Sequence, residues 1–296
     1  MTDGAVVSLW RYPVKSMMGE ELNASDVTDH GLLGDRSLAL VDTETGKVVS
    51  AKNPRKWPTM FDFRAVFTTP PVLGSPLPPV RVTLPDGVSV TSDDARFAEL
   101  LTGALGRPVT LASAALSEPS LEEYWPDIAE LAHRETVTDE AMPSTTFFDL
   151  AAIHVLTTAT INRLRELYPQ GQFEVRRFRP NIVVRPENDD AEFVESTWVG
   201  RELRIGDDVV LAITDHCPRC VMTTLPQGDL PKDSGILRKA ARHNEVTRRR
   251  VCRSASRRES PARRHRDPRL STTRAVDISR TCWESCHPKA RCRVVD

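Results

Sequence analysis

The sequence has few cysteines and lacks any long apolar segment. Of its six cysteines only Cys217 and Cys220 precede residue 245, which excludes a disulfide framework for this part of the chain. No stretch approaches the roughly 18 consecutive apolar residues of a membrane-spanning helix, and residues 1–20 lack the apolar run of a secretory signal. These absences predict a soluble protein of the reducing cytoplasm that has no membrane partner.

Acidic and basic residues are unevenly distributed along the chain. The 296 residues include 40 Lys and Arg and 41 Asp and Glu, a net charge of −1. Residues 245–296 contain 15 basic and 6 acidic residues, which leaves 25 and 35 in the first 244. The sequence therefore joins an acidic body, large enough for one large or two modest domains, to a basic C-terminal segment.

The first half of the body is typical of a β-rich fold. Residues 43–46 end in a glycine that suits a four-residue hairpin loop, and Pro85-Asp86-Gly87 matches a tight turn. Five prolines within residues 70–79 predict a surface loop, because proline lacks the amide donor of a central strand. Strands are predicted at residues 6–12, 37–42, 47–50, 61–67, 80–84 and 88–91.

Helices and strands alternate in the rest of the body. Apolar residues recur at helical spacing in residues 95–105, where Gly106 ends the pattern, and again in residues 157–167. Residues 116–144 are polar and follow neither the helical nor the strand period, so they are predicted to link two domains. Further strands are predicted at residues 181–185, 202–205 and 208–214.

The basic segment, residues 245–296, shows no periodicity that could bury one face, and it is therefore predicted to be disordered. Two interpretations are open. The clustered arginines could neutralise nucleic-acid phosphates, or the segment could be translated out of frame, since Arg, Ser and Pro are enriched in shifted GC-rich codons.

Residues 215–220, which include Cys217 and Cys220, follow a predicted strand and allow four interpretations. Half of a zinc site would need two further ligands at a familiar spacing. A redox pair would normally precede a helix, whereas a Thr- and Pro-rich loop follows here. A single thiolate could bind a transition metal, with Arg219 favouring its ionisation. The cysteines could also be two small buried thiols.

Three cationic loops stand out on the acidic body, at residues 11–16, 31–36 and 176–181. Each alone is typical of a solvated loop. Together they would provide the positive potential that an anionic cofactor needs.

These segments resemble the MOSC family, the molybdenum cofactor sulfurase C-terminal domain proteins, and in particular the two-domain branch with the mitochondrial amidoxime-reducing component and its bacterial relatives. The resemblance spans residues 6–244. The motifs that carry it are Tyr12-Pro13-Val14-Lys15-Ser16, Gly34-Asp35-Arg36, Ala51-Lys52-Asn53-Pro54-Arg55, Val155-Leu156-Thr157, Arg179-Pro180-Asn181-Ile182-Val183, Cys217-Pro218-Arg219-Cys220 and Thr223-Thr224.

The resemblance implies an α+β, β-dominated fold, with a MOSC N-terminal β-barrel domain at residues 1–118 and a MOSC β-barrel domain at residues 124–244. In the family, further strands follow the position of Asn244. An out-of-frame tail at residues 245–296 would leave the second domain without its closing strands and its sheet edges unpaired.

The resemblance also implies a molybdenum cofactor (Mo-molybdopterin) between the domains. Its catalytic residue and protein metal ligand would be Cys220, whereas Cys217 would not bind the metal. The positions implied for cofactor binding are Lys15, Ser16, Arg36, Asp149, His154, Arg179, Asn181 and Arg219.

The implied function is that of a molybdenum-dependent oxidoreductase that reduces N-hydroxylated or other N–O compounds. The tail cysteines do not fit a plant-type iron–sulfur pattern, so electrons would come from a separate flavoprotein or ferredoxin-type partner. The alternative is a carrier that binds the molybdenum cofactor or a sulfur group without turnover. A nucleic-acid partner is least favoured, and pyridoxal phosphate binding is an association of the family only.

Overall fold

The computed structural model describes residues 2–113, 116, 118–129, 131–143, 147–188, 192–243, 275–277 and 290–295. Strands dominate over helices, which confirms the predicted α+β class. The strands are β1 (Thr2–Arg11), β2 (Glu20–Leu22), β3 (Ala24–Thr28), β4 (Gly31–Leu32), β5 (Leu38–Asp42), β6 (Arg64–Phe67), β7 (Val80–Thr83), β8 (Ser89–Thr91), β9 (Val109–Ser113), β10 (Ser120–Trp125), β11 (Thr136–Ala141), β12 (Val155–Thr157), β13 (Ile182–Pro186), β14 (Glu202–Ile205), β15 (Val209–Ala212), β16 (Ala275–Asp277) and β17 (Ala290–Val295).

The helices are short. They are α1 (Phe97–Leu105), α2 (Thr158–Leu167), α3 (Val175–Phe178) and α4 (Ser234–His243), with 3₁₀ turns at Met60–Asp62, Val194–Trp198 and Val221–Thr224. Within the described residues no helix is long and apolar enough to cross a membrane.

The largest sheet joins the first strand to the C-terminal half of the chain. Its order is β12-β13-β1-β17-β14-β15, with β2 paired to β1. β12 and β13 are parallel, and the other pairs are antiparallel. Val6 and Leu9 of β1, on either side of a register shift, and Ile182 of β13 are buried in one core with Leu203 and Trp198. The end of β1 therefore lies beside the start of β13, the strand that follows the cationic loop at residues 176–181.

A second core lies under the smaller sheets of the N-terminal half. The hairpins β6-β7-β8 bury Ala65, Val80 and Val82, and α1 adds Leu101. Val221, Met222 and Leu225 from the loop after Cys220 also belong to this core, and Cys220 packs against it. The cysteine loop thus packs against the N-terminal half, in the same core as Val14 of the first cationic loop.

Several local predictions are confirmed. The β7–β8 hairpin forms around the Pro85-Asp86-Gly87 turn, and residues 70–79 are largely exposed. α1 ends at Gly106, whose φ of 68° is the left-handed conformation that glycine adopts readily. The prediction at residues 61–67 is partly right, because a 3₁₀ turn precedes strand β6.

Residues 116–144, which show neither the helical nor the strand period, contain the antiparallel hairpin β10–β11, and their role as a link between two domains stays a prediction. Leu121 and Glu123 of β10 are buried. The strand period was hidden because one of its inward positions carries a carboxylate. Residues 47–50 form no strand either; Val48 makes single bridges to Val41 and Leu121, so this segment connects β5 to the hairpin.

The predicted disorder of residues 245–296 is wrong for two described segments. β17 lies between β1 and β14 and pairs with both, and β16 pairs with β3. The strand edges expected to be unpaired are therefore paired. Composition could not reveal this, because the backbone hydrogen bonds of a strand between two others need no particular side chain. The rest of the segment, with Cys252, Cys282 and Cys286, lies outside the described residues.

Candidate functional site

The structure brings the three cationic loops together. Arg36 Nη2 donates a hydrogen bond to the carbonyl oxygen of Arg179 at 3.2 Å, and Arg179 Nη1 donates to the carbonyl oxygen of Met17 at 2.7 Å. Each loop contains a non-glycine residue at positive φ: Ser16 at 64°, Arg36 at 46° and Arg179 at 52°. Such backbone conformations persist where surrounding contacts determine them, and they cluster at functional sites.

Asp35 organises the centre of this cluster. Its Oδ1 accepts the backbone N–H of Tyr12 at 2.7 Å, and its Oδ2 accepts Asn181 Nδ2 at 2.9 Å and pairs with the Arg36 guanidinium. Asn181 Oδ1 accepts the backbone N–H of His154 at 3.1 Å. Residues from three distant parts of the chain are therefore fixed by one buried carboxylate and one buried amide.

Arg179 has an incomplete set of partners. Its guanidinium stacks on the ring of Tyr12 at 4.1 Å and lies 5.5 Å from the ring centre of Phe61. Its Nη2 is buried and has no hydrogen-bond partner among the described residues. Burial lowers the pKa of Arg179 to about 10, and burial raises the pKa of Tyr12 to about 12. The unsatisfied donor suits an anionic ligand.

A second group of charges surrounds Asp149. Lys15 Nζ lies 2.5 Å from Asp149 Oδ1 and donates to the carbonyl oxygen of Phe147 at 2.8 Å. Lys52 Nζ lies 3.0 Å from Glu123 Oε2 and 3.7 Å from Asp149 Oδ2. The side chain of Asp149 is 39% exposed, whereas those of Lys15, Lys52 and Glu123 are 5%, 13% and 8% exposed. Buried cations thus hold an accessible carboxylate.

The electrostatics of this group favour the ionised forms of Asp149 and Lys52, whereas burial raises the pKa of Glu123. Desolvation by the surrounding protein raises the pKa of Asp149, but the ammonium groups of Lys15 and Lys52 lower it by a larger amount, so the net shift is downward. Burial lowers the pKa of Lys52, and the carboxylates of Asp149 and Glu123 raise it by more. Burial lowers the pKa of Lys15, which the pairing with Asp149 only partly offsets.

Cys220 precedes the 3₁₀ turn Val221–Thr224. The backbone N–H and the hydroxyl of Thr223 both donate to the carbonyl oxygen of Cys220, at 3.2 and 3.1 Å. Burial raises the pKa of the Cys220 thiol to about 12, and the nearby Lys52 opposes this shift. The charges of Lys52 and Asp149 therefore act on the Cys220 thiol. This group of charges connects the thiol to the cationic cluster.

Arg177 anchors the loop after Cys220. The residue is 1% exposed, and its guanidinium donates to the carbonyl oxygens of Gln172, Thr223, Leu225 and Pro231 at 2.8 to 3.3 Å. All these acceptors are backbone atoms, and three of them lie in the cysteine loop. Arg177 therefore fixes the position of Cys220 relative to α3.

His154 and Arg219 form a further pair of contacting side chains at the site. Arg219 Nη2 lies 3.1 Å from His154 Nε2, and the Arg219 guanidinium lies 5.2 Å from the ring centre of Phe178. Burial lowers the pKa of His154 well below its usual value, and the charges of Arg219 and Arg36 lower it further. A neutral His154 ring can accept the Arg219 N–H, so it orients the guanidinium of the residue that precedes Cys220.

The other predicted positions have simpler contacts. Ser16 Oγ accepts the backbone N–H of Ala51 at 3.0 Å, which fixes the 51–55 segment. Cys217 and Cys220 are both free thiols. No group of three or more His, Cys, Asp or Glu side chains in the described part of the chain is arranged to hold a metal ion.

The residues that the sequence prediction missed are Lys52, Glu123 and Arg177. Lys52 lies in a motif that carried the family resemblance, so that motif could have pointed to it. Glu123 lies in the segment predicted as a linker, and Arg177 is one of four arginines in ten residues without a distinguishing pattern.

The residues present fit the cofactor that the resemblance implies. A soft thiol suits molybdenum, and the unpartnered Nη2 of Arg179, in a cluster with Arg36, suits an anionic group.

Comparisons with known proteins identify the domains of the chain. The family model for the MOSC N-terminal beta barrel domain matches residues 3–93, and the model for the MOSC domain matches residues 143–260. The chain is similar to mitochondrial amidoxime reducing component 2 of Rattus norvegicus, with 25% identity over 246 residues that cover 79% of this chain and 69% of the relative. The chain is therefore a MOSC protein, with an N-terminal MOSC beta barrel domain followed by a MOSC domain.

Proposed function

We propose that this chain binds a molybdenum cofactor and reduces N-hydroxylated or other N–O compounds, using electrons from a separate redox partner. The carrying observation is that the cationic loops meet around a buried, unpartnered Arg179 nitrogen, while Cys220 packs against the core of the N-terminal half and its thiol interacts with Lys52 of the neighbouring charged group. The MOSC domain and the relative named for amidoxime reduction support a cofactor-associated, oxidoreductase-type role.

Within this proposal, Cys220 would hold the metal, and Lys15, Arg36 and Arg179 would hold the anionic part of the cofactor. Each charge-assisted hydrogen bond to an anion contributes roughly 1.5 to 3 kcal/mol. When bound, the cofactor supplies a two-electron redox centre, and the protein determines its position and surroundings.

The other residues would orient these groups. Arg177 holds the cysteine loop by its carbonyl oxygens, and Asp35 holds Arg36 and Asn181. His154 contacts the guanidinium of Arg219, the residue before Cys220. Asp149 presents an ionised, accessible carboxylate that can accept a hydrogen bond from an N–H group of a substrate. Reduction of an N–OH group to N–H consumes two electrons and two protons and releases water.

The test is expression of the chain in a host that makes molybdenum cofactor, beside a Cys220→Ala variant and a Cys217→Ala control. We expect close to one molybdenum per chain in the parent and in Cys217→Ala, and a large loss in Cys220→Ala, measured by elemental analysis. The parent should then reduce an aromatic amidoxime with a competent electron donor. Bound molybdenum without turnover would replace the reductase by a cofactor carrier, and equal metal in all three proteins would contradict the role of Cys220.

A further inference from the structure

Lys52 belongs to none of the three cationic loops, yet its side chain lies at the same site. Its Nζ is 3.7 Å from Asp149 Oδ2, whereas Lys15 Nζ is 2.5 Å from the other carboxylate oxygen, Oδ1. The Asp149 carboxylate is therefore held by one ammonium group on each oxygen. Lys15 hydrogen-bonds one oxygen of this accessible carboxylate, and Lys52 forms a longer ion pair with the other.

The β10–β11 hairpin holds Lys52 in turn. Glu123, 6% exposed on the inner side of β10, accepts a hydrogen bond from Lys52 Nζ at 3.0 Å. The backbone N–H of Tyr124 donates to the carbonyl oxygen of Lys52 at 2.8 Å, and Ser16 fixes the preceding residue, Ala51. Both the backbone and the side chain of Lys52 are thus constrained, so the hairpin supports the site.

Charge balance gives this arrangement a consequence for binding. Asp149 and Glu123 place two carboxylates beside a site that would hold an anion. Lys15 pairs with Asp149. Lys52 pairs with Glu123 and also lies near Asp149. Without Lys52 the buried Glu123 would be unpaired, and the field at the site would be more negative.

We propose that Lys52, fixed by Glu123, is a positioning residue of the site: it orients Asp149 and supplies positive charge that retains an anionic cofactor. This inference rests on the proposed function for the identity of the retained anion, and it does not depend on the reaction catalysed.

The test compares Lys52→Met, Lys52→Arg and Glu123→Gln with Glu122→Gln in the full chain loaded with molybdenum. Glu122 is a matched control, because it lies on the same strand and pairs with Lys47 and Lys56, both at 3.4 Å. We expect molybdenum to dissociate about tenfold faster from Lys52→Met, the effect of one lost charge interaction of ordinary size. Lys52→Arg, which keeps the charge, and Glu122→Gln should match the parent, and Glu123→Gln should lie between.

The double variant Lys52→Met/Glu123→Gln separates positioning from folding. Lys52→Met alone should lower the melting temperature, because it leaves a buried carboxylate unpaired, and the double variant should recover most of that loss. Molybdenum should still dissociate from the double variant as fast as from Lys52→Met. Recovery of both properties together would show a merely structural role and overturn the proposal, as would a Lys52→Met protein that retains molybdenum like the parent.

A parent that contains no molybdenum would contradict the proposed function separately. The role of Lys52 is then measured on the cofactor-free protein with inorganic phosphate as the anion. We expect phosphate to raise the melting temperature of the parent and of Glu122→Gln more than that of Lys52→Met. An equal rise in all three proteins would overturn the proposal.

Discussion

The cysteine loop is anchored by Arg177 and the cationic cluster contains Arg179, two buried arginines from the same turn of the chain whose hydrogen bonds differ. Arg177 donates to four backbone carbonyl oxygens and is 1% exposed. Arg179 is also buried, but it donates to a single carbonyl oxygen, that of Met17, and its Nη2 has no partner among the described residues.

This difference distinguishes a cation that stabilises the fold from a cation that can bind a ligand. A guanidinium that uses four of its five N–H donors on the backbone stabilises the fold and has little capacity left for a ligand. A buried guanidinium with a free donor is costly in the ligand-free protein, and a bound anion would remove that cost. The contrast therefore predicts that the two substitutions affect different properties.

The largest effect is expected for Arg177→Met. The substitution removes the donors of four carbonyl oxygens, most of them in the cysteine loop, and leaves these acceptors buried without partners. We expect the free energy of unfolding to fall by about 3 kcal/mol or more. Urea denaturation measures the change. A stable Arg177→Met protein would contradict the anchoring role.

Arg179→Met should separate binding from stability. The substitution removes an incompletely satisfied buried charge, and this gain offsets part of the lost hydrogen bond and ring contacts. We expect a stability loss of less than about 1.5 kcal/mol, with most of the molybdenum lost. The same denaturation experiment and elemental analysis measure both properties. If this variant unfolded as readily as Arg177→Met, the distinction between the two arginines would fail.

The sequence alone could not have distinguished these arginines. It grouped Lys15, Arg36 and Arg179 because their motifs are continuous segments beside predicted turns, and the structure places them together. The direction of each side chain within the turn depends on the left-handed backbone at Arg179 and on carbonyl oxygens some fifty residues away. Such contacts have no local pattern.

The same dependence on distant contacts explains which fold predictions were right and which were wrong. α1 and the β7–β8 hairpin were predictable because Gly106 and the Pro85-Asp86-Gly87 turn act within a few residues. The β10–β11 hairpin was missed because Glu123 is buried only through its pairing with Lys52. β17 was missed because its position depends on the two strands beside it, β1 and β14.

A smaller effect is expected for His154, which lies at the edge of the cationic cluster. Because its pKa in the folded protein is lowered, the unfolded chain binds a proton that the folded chain excludes. Stability should therefore fall as the pH drops below about 6.5, by about 1 kcal/mol between pH 7 and pH 5.5. His154→Gln should lose this slope, whereas substitution of the exposed His30 should keep it. Parallel stability curves for the parent and His154→Gln would contradict the prediction.

The smallest effect is expected for Arg176→Met, one residue before the anchoring arginine. Arg176 pairs with Asp229 at 2.6 Å, but the two side chains are 30% and 79% exposed, so solvent screens the pair. We expect the melting temperature to stay within about 2 °C of the parent, with the molybdenum content unchanged. Adjacent arginines would then differ greatly in effect although their sequence context is almost the same. A loss comparable to that of Arg177→Met would mean that the turn depends on its total charge, and the number of satisfied donors would no longer explain the difference between Arg177 and Arg179.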